Sequence, residues 1–272
     1  MSPLEQPITF QALALGRHLT IEYYDCNAHI LADVKGMEAI FLEAAQRSGA
    51  TVLESSFHAF QPQGVSGIVV ICESHFAVHA WPEHDYAAVD IFTCGDQIDF
   101  ELAAAVLRER LASRSMVISH TLSRGLIGQN GAVLHEKPTA ETAGEASLSW
   151  QQRYSSANAW GMLASIDVYE CPDEMLTPGN ISTILEDVSE VLDVEFCGSG
   201  CCSEFTDPEK GDGLRFTRML DAGTITGRYS KERKTFYCDI FLGRFFDPRT
   251  VSETLINSLN GSYYRLQVAM RQ

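Results

Sequence analysis

The chain has no run of about 18 apolar residues, so no helix of it is expected to span a membrane. Its first residues, Met1 to Gln11, lack a basic stretch followed by an apolar one, and no secretory leader is expected. Positive charge is scarce: 20 Lys and Arg stand against 36 Asp and Glu, for a net charge of -16. Phosphate backbones need clustered Lys and Arg, so nucleic acid is excluded as an expected partner. A cationic small molecule suits the balance better. Eight cysteines are present, but the three closest, Cys197, Cys201 and Cys202, have no His beside them. Their spacing matches no common zinc pattern, and no metal is expected. A cytoplasmic location, reduced thiols and no membrane partner are therefore expected.

What is there is ordinary in amount and informative in arrangement. The 272 residues are 45% hydrophobic and 21% charged, enough for two domains of modest size. The segment His135 to Asn158 is rich in Ala, Ser, Thr, Glu and Gln without an apolar period, and reads as a linker. The expected division is residues 1–135, a linker over 136–158, and residues 159–272.

The halves resemble each other. LGRHLTIEYYDCNAHIL (Leu15–Leu31) and WGMLASIDVYECPDEML (Trp160–Leu176) each alternate as a strand, end in an acidic residue followed by Cys, and lead into an amphipathic helix. Those helices are expected over Ile30–Ala45 and Ile181–Leu192. Later, Ala87–Leu111 parallels Thr235–Leu259 as strand, turn and helix, and SMVISHTLSR and SYYRLQVAMR close their halves as strands. The fold class expected is α+β. Each half is a two-layer unit with an antiparallel sheet and helices on its outer face, and the duplicated pair forms an intrachain pseudo-dimer. Homodimerisation of the whole chain stays open.

The densest stretch is Phe60–Cys94. Ile68 to Ile71 is a β-branched run suited to a buried strand. Glu73-Ser74-His75 follows, and Phe76 to Trp81 alternates until Pro82 stops ladder pairing. Alternation puts His79, Trp81 and Glu83 on one face, a set that a dry core does not want. A solvated face with a half-buried Trp would also account for it.

The segment ESHFAVHAWPE, preceded by GVSG and followed by DIFTCG, resembles the bacterial pyruvoyl-dependent S-adenosylmethionine decarboxylases. The likeness runs through the first half and is strongest over residues 60–95. It implies that the chain cuts itself between Glu73 and Ser74 and that Ser74 becomes a pyruvoyl group, the self-made cofactor. It further implies that His79 is the base, that Ser66 helps processing through a hydrogen bond, and that Cys94 protonates the substrate α-carbon. The pyruvoyl group would form a Schiff base with the amine of S-adenosylmethionine, and decarboxylation would feed spermidine synthesis. Phe60 and Trp81 would meet the adenine and sulfonium, and Glu83 the ribose diol.

Aligning the repeats puts Asp221-Ala222-Gly223 opposite Glu73-Ser74-His75, Gly227 opposite His79 and Gly243 opposite Cys94, with one inserted residue. The second half is therefore expected to be non-catalytic. Two other readings remain at this stage. One is a pyruvoyl enzyme for a basic amino acid such as ornithine or arginine, and the other is a non-catalytic partner that activates a related decarboxylase.

Overall fold

The computed structural model describes residues 8, 14–60, 63–94, 97–126, 148–207 and 211–271. The chain divides into two units, Met1–Lys137 and Pro138–Gln272.

In the first unit, β1 (Ala14–Tyr24) leads into the short helix α1 (Ala28–Leu31) and then α2 (Val34–Arg47). The expected single helix over Ile30–Ala45 is thus broken. Asn27 caps α1 by accepting the His29 N–H, and the chain leaves and re-enters helix at Ala32 and Asp33. Four strands follow: β2 (Val52–Ala59), β3 (Val65–Ile71), β4 (Ser74–Trp81) and β5 (Tyr86–Cys94). Helix α3 (Phe100–Arg110), capped by Asp99, and β6 (Ser115–Leu126) complete the unit. The sheet order is β2-β3-β4-β5-β1-β6, with antiparallel pairing throughout.

The second unit opens with α4 (Trp150–Ser156), held by a Ser149/Gln152 capping box, inside the stretch expected to be linker. Residues 136–147 of that stretch lie outside the described residues. Then come β7 (Gly161–Tyr169), α5 (Pro178–Leu192), β8 (Phe196–Asp207), β9 (Gly211–Leu220), β10 (Gly223–Ser230), β11 (Thr235–Leu242), α6 (Pro248–Ser258) and β12 (Tyr263–Arg271). The order is β8-β9-β10-β11-β7-β12, which is the first sheet strand for strand.

Each sheet buries an apolar face against its helices. In the first, Leu19, Ile21, Val69, Phe76, Val78, Val89 and Ile91 pack with Met37, Phe41 and Leu107. In the second, Ile166, Phe216, Ile225 and Ile240 pack with Ile184, Val188 and Leu255. Period-2 alternation sends the intervening residues to the opposite face. That face is buried too, yet it carries His18, Thr20, Glu22, His75, His79 and Asp90 in the first sheet. A buried polar face is costly unless its groups find partners, and this is where the chemistry-bearing residues collect. The duplication reaches the packing. Gly16 and Gly161 each leave no room for a side chain, because a Cβ would stand 2.5 Å from the rings of Phe92 and Phe241 respectively.

Candidate active site

The candidate site begins at the hairpin between β3 and β4. Its loop is Cys72-Glu73, and Ser74 pairs with Ile71 on one side and Thr93 on the other. The Glu73 carbonyl accepts the Cys94 N–H at 2.8 Å, and the Glu73 carboxylate accepts the Thr51 N–H at 3.3 Å. The Glu73 side of the bond expected to break is therefore held by two hydrogen bonds.

Ser74 Oγ stands 3.2 Å from His75 Nδ1. On the far side of that ring, His75 Nε2 is 3.3 Å from Asp90 Oδ2. His18 Nε2 approaches the same oxygen at 3.7 Å, an ion-pair distance rather than a hydrogen bond. Burial alone would push the Asp90 carboxyl up, but the two histidines outweigh it and hold the group well below the usual carboxylate range. A carboxylate only accepts, so His75 turns a protonated Nε2 toward Asp90; in the neutral ring Nδ1 is then the acceptor facing the serine hydroxyl. Ser74, His75 and Asp90 are thus in line beside the Glu73–Ser74 bond. Phe92 lies 5.4 Å from the His18 ring, with the Arg124 guanidinium 4.6 Å above it, and together they wall this end of the sheet.

A second group sits at the other end of β4. Ser66 and His79 are cross-strand partners, with Ser66 Oγ 2.7 Å from His79 Nδ1. The Trp81 ring lies 5.3 Å from Tyr86, whose hydroxyl donates to the buried Glu22 carboxylate. Ser119 Oγ donates to the same carboxylate at 2.9 Å. Phe60, just past β2, meets the His58 ring edge-on at 5.1 Å. Glu83 is exposed in a 3-10 turn, Pro82–His84. The strand face expected to carry His79, Trp81 and Glu83 together thus ends at Trp81, because Pro82 cannot continue the ladder.

The expected residues therefore fall into two groups: Glu73, Ser74 and Cys94 at one end, and Phe60, Ser66, His79, Trp81 and Glu83 at the other. His79 lies five steps along the strand from Ser74, about 16 Å at roughly 3.3 Å per residue. Odd spacing also turns the two toward opposite faces. Within one unit His79 does not reach Ser74. His75, Asp90 and His18, which do gather there, were not singled out from the sequence. The available signal was that His75 shares the alternation of His79 and Trp81.

The second unit corrects the repeat alignment by one residue. Cys94 N–H bonds the Glu73 carbonyl as Gly243 N–H bonds that of Ala222, and Cys72 N–H bonds Thr51 as Asp221 N–H bonds Glu195. The equivalent of Ser74 is therefore Gly223 rather than Ala222, and that of His79 is Arg228 rather than Gly227. Cys94 keeps Gly243, and the inserted residue disappears. Ser66 corresponds to Arg215, since Arg215 pairs with Arg228 as Ser66 pairs with His79. By the same register Asp90 corresponds to Asp239, and Arg124 to Arg271.

A family model described as S-adenosylmethionine decarboxylase matches residues 17–125. The S-adenosylmethionine decarboxylase proenzyme of Pseudomonas aeruginosa (strain LESB58) is 45% identical over 150 residues, covering 51% of this chain and 93% of that one. That of Thermosipho melanesiensis is 52% identical over 108 residues, covering 39% and 83%. Among solved structures, an adenosylmethionine decarboxylase from Aquifex aeolicus is 28% identical, covering 47% of this chain and all of that one, with a TM-score of 0.39. Relatives this similar, matched over nearly their whole length, show that the chain belongs to the S-adenosylmethionine decarboxylase family.

Proposed function

We propose that this chain cuts itself between Glu73 and Ser74 and then decarboxylates S-adenosylmethionine, supplying the aminopropyl donor for polyamine synthesis in the cytoplasm. The observation that supports this most is the hairpin: a serine hydroxyl backed by His75 and Asp90, next to a carbonyl held by the Cys94 N–H.

In the first step His75 Nδ1 takes the Ser74 hydroxyl proton as Oγ closes on the Glu73 carbonyl carbon. The Cys94 N–H stabilises the negative charge building on the carbonyl oxygen. The C–N bond breaks, leaving an ester and the free Ser74 amine. Loss of the Ser74 α-proton then expels Glu73 as a carboxylate, and the dehydroalanine takes up water and releases ammonia. The residues fit the pyruvoyl group that results, since its precursor serine has both an activating base and a polarised carbonyl. Once formed, that group supplies the electron sink for loss of carbon dioxide. Cys94, one main-chain hydrogen bond from Glu73, is the assigned donor of a proton to the substrate α-carbon.

His79 is the assigned base for the α-proton, with Ser66 orienting its ring. The length of strand between His79 and Ser74 assigns it to the Ser74 of a second copy of this chain. Phe60 and Trp81, for the adenine and sulfonium, and Glu83, for the ribose diol, go with it. The second unit cannot stand in, because arginines occupy both the Ser66 and the His79 positions. Its Gly223 lacks a hydroxyl, so each chain has one cleavage site.

Denaturing mass spectrometry tests the cleavage: fragments 1–73 and 74–272 are expected, the latter beginning with a pyruvoyl mass. A chain that stays whole would sink the proposal. Carbon dioxide release from S-adenosylmethionine, and none from ornithine or arginine, is the expected substrate result. Co-expressed Ser74→Ala and His79→Ala chains should restore cutting of the latter if two copies share one site, and continued failure to cut would refute that sharing.

A further inference from the structure

The second unit has rebuilt the place that holds Ser66 and His79 in the first. Phe205 on β8 corresponds to Phe60, Arg215 on β9 to Ser66, and Arg228 and Ser230 on β10 to His79 and Trp81. The aromatic ring is kept, the hydrogen-bonded Ser-His pair has become two cations, and an indole has shrunk to a hydroxymethyl group.

Arg215 and Arg228 are direct cross-strand partners. Each guanidinium carbon lies 4.8 Å from the centroid of the same Phe205 ring. Arg228 is 8% exposed and Ser230 2%. Among the described residues, Arg215 Nη1, Arg228 Nε and Ser230 Oγ are buried without a hydrogen-bond partner, and neither arginine makes an ion pair. Like charges directly opposite one another on a sheet repel. A guanidinium cannot relieve this by losing its proton. One shared ring offsets only part of the cost. An oxyanion removes the conflict, because each planar fork matches a carboxylate or phosphate, and the Ser230 hydroxyl adds a third donor.

We infer that the second unit carries an oxyanion site, formed by Arg215, Arg228 and Ser230 against the Phe205 ring, for the carboxylate or phosphate of a small molecule. The site goes beyond the proposed decarboxylation.

Thermal unfolding of the purified full chain tests it, with inorganic phosphate, acetate and chloride compared at equal ionic strength. Phosphate or acetate should raise the midpoint saturably and chloride should not. Whichever of the two acts at lower concentration identifies the chemistry. Arg215→Gln and Arg228→Gln should each weaken the half-saturating concentration by at least tenfold. The Arg→Lys variants, which keep charge but lose the fork, should fall between. No saturable effect of either anion, or an equal effect in wild type and the double Gln variant, would overturn the site. If the Gln variants do not fold, phenylglyoxal labelling of the wild type decides. Phosphate or acetate should protect Arg215 and Arg228 while leaving Arg153 and Arg233 reactive, and uniform labelling with and without anion would refute the proposal.

Discussion

Asp90→Asn separates the Ser74-His75-Asp90 relay from its neighbours more cleanly than any other change. The substitution keeps the shape of a side chain that is 2% exposed and removes only the acceptor charge 3.3 Å from His75 Nε2. Asn can also offer an N–H, which lets His75 place its proton on Nδ1 and lose the lone pair that faces Ser74. A hydrogen bond to a charged group contributes about 1.5–3 kcal/mol. If that is lost in the transition state for acyl shift, cleavage slows about 10- to 150-fold, at roughly 1.36 kcal/mol per tenfold. His75→Ala removes the base itself and should slow cleavage by about 10²–10⁴-fold. The assay is the decay of intact chain on denaturing gels after a pulse of synthesis, with circular dichroism confirming the fold. Cleavage of both variants at the wild-type rate would refute the relay and leave Ser74 to be activated by some other group.

Ser74→Ala should give a single uncut chain of full mass, read by mass spectrometry. Cys94→Ala should still cut, because its main-chain N–H remains, yet release carbon dioxide much more slowly; full activity would remove Cys94 as proton donor. The Asp90 carboxyl is held low in the folded state, so its stabilisation is present above the unfolded carboxylate pKa of about 3.9 and is lost as pH falls through the folded value. The stability gap between wild type and Asp90→Asn in urea should therefore be wide at neutral pH and narrow in acid, and a gap independent of pH would contradict the assignment. Phe41→Ala, at a fully buried core position against Phe57, should cost about 3–5 kcal/mol in the same experiment.

Much of this protein is legible in its sequence. Alternating and helical apolar periods mark the elements because burial acts on them directly, and both halves share the order strand, helix, four strands, helix, strand, with short α1 added in the first and α4 ahead of the second. The ESHFAVHAWPE segment identifies the family because self-cleavage needs particular atoms in a particular order. The matching of the two halves was less legible: pairing the acidic Asp221 with the acidic Glu73 misaligned the second half by one, whereas the hairpin hydrogen bonds put Ala222 opposite Glu73. Tertiary structure alone decided which motif residues meet. Ser74 and His79 stand five apart in the chain and look like neighbours, but an extended strand carries them to opposite ends and opposite faces. Conversely, His75, Asp90 and His18 come from three strands and converge because β4, β5 and β1 lie side by side. Arg215 and Arg228 likewise become a pair only when β9 and β10 are laid together.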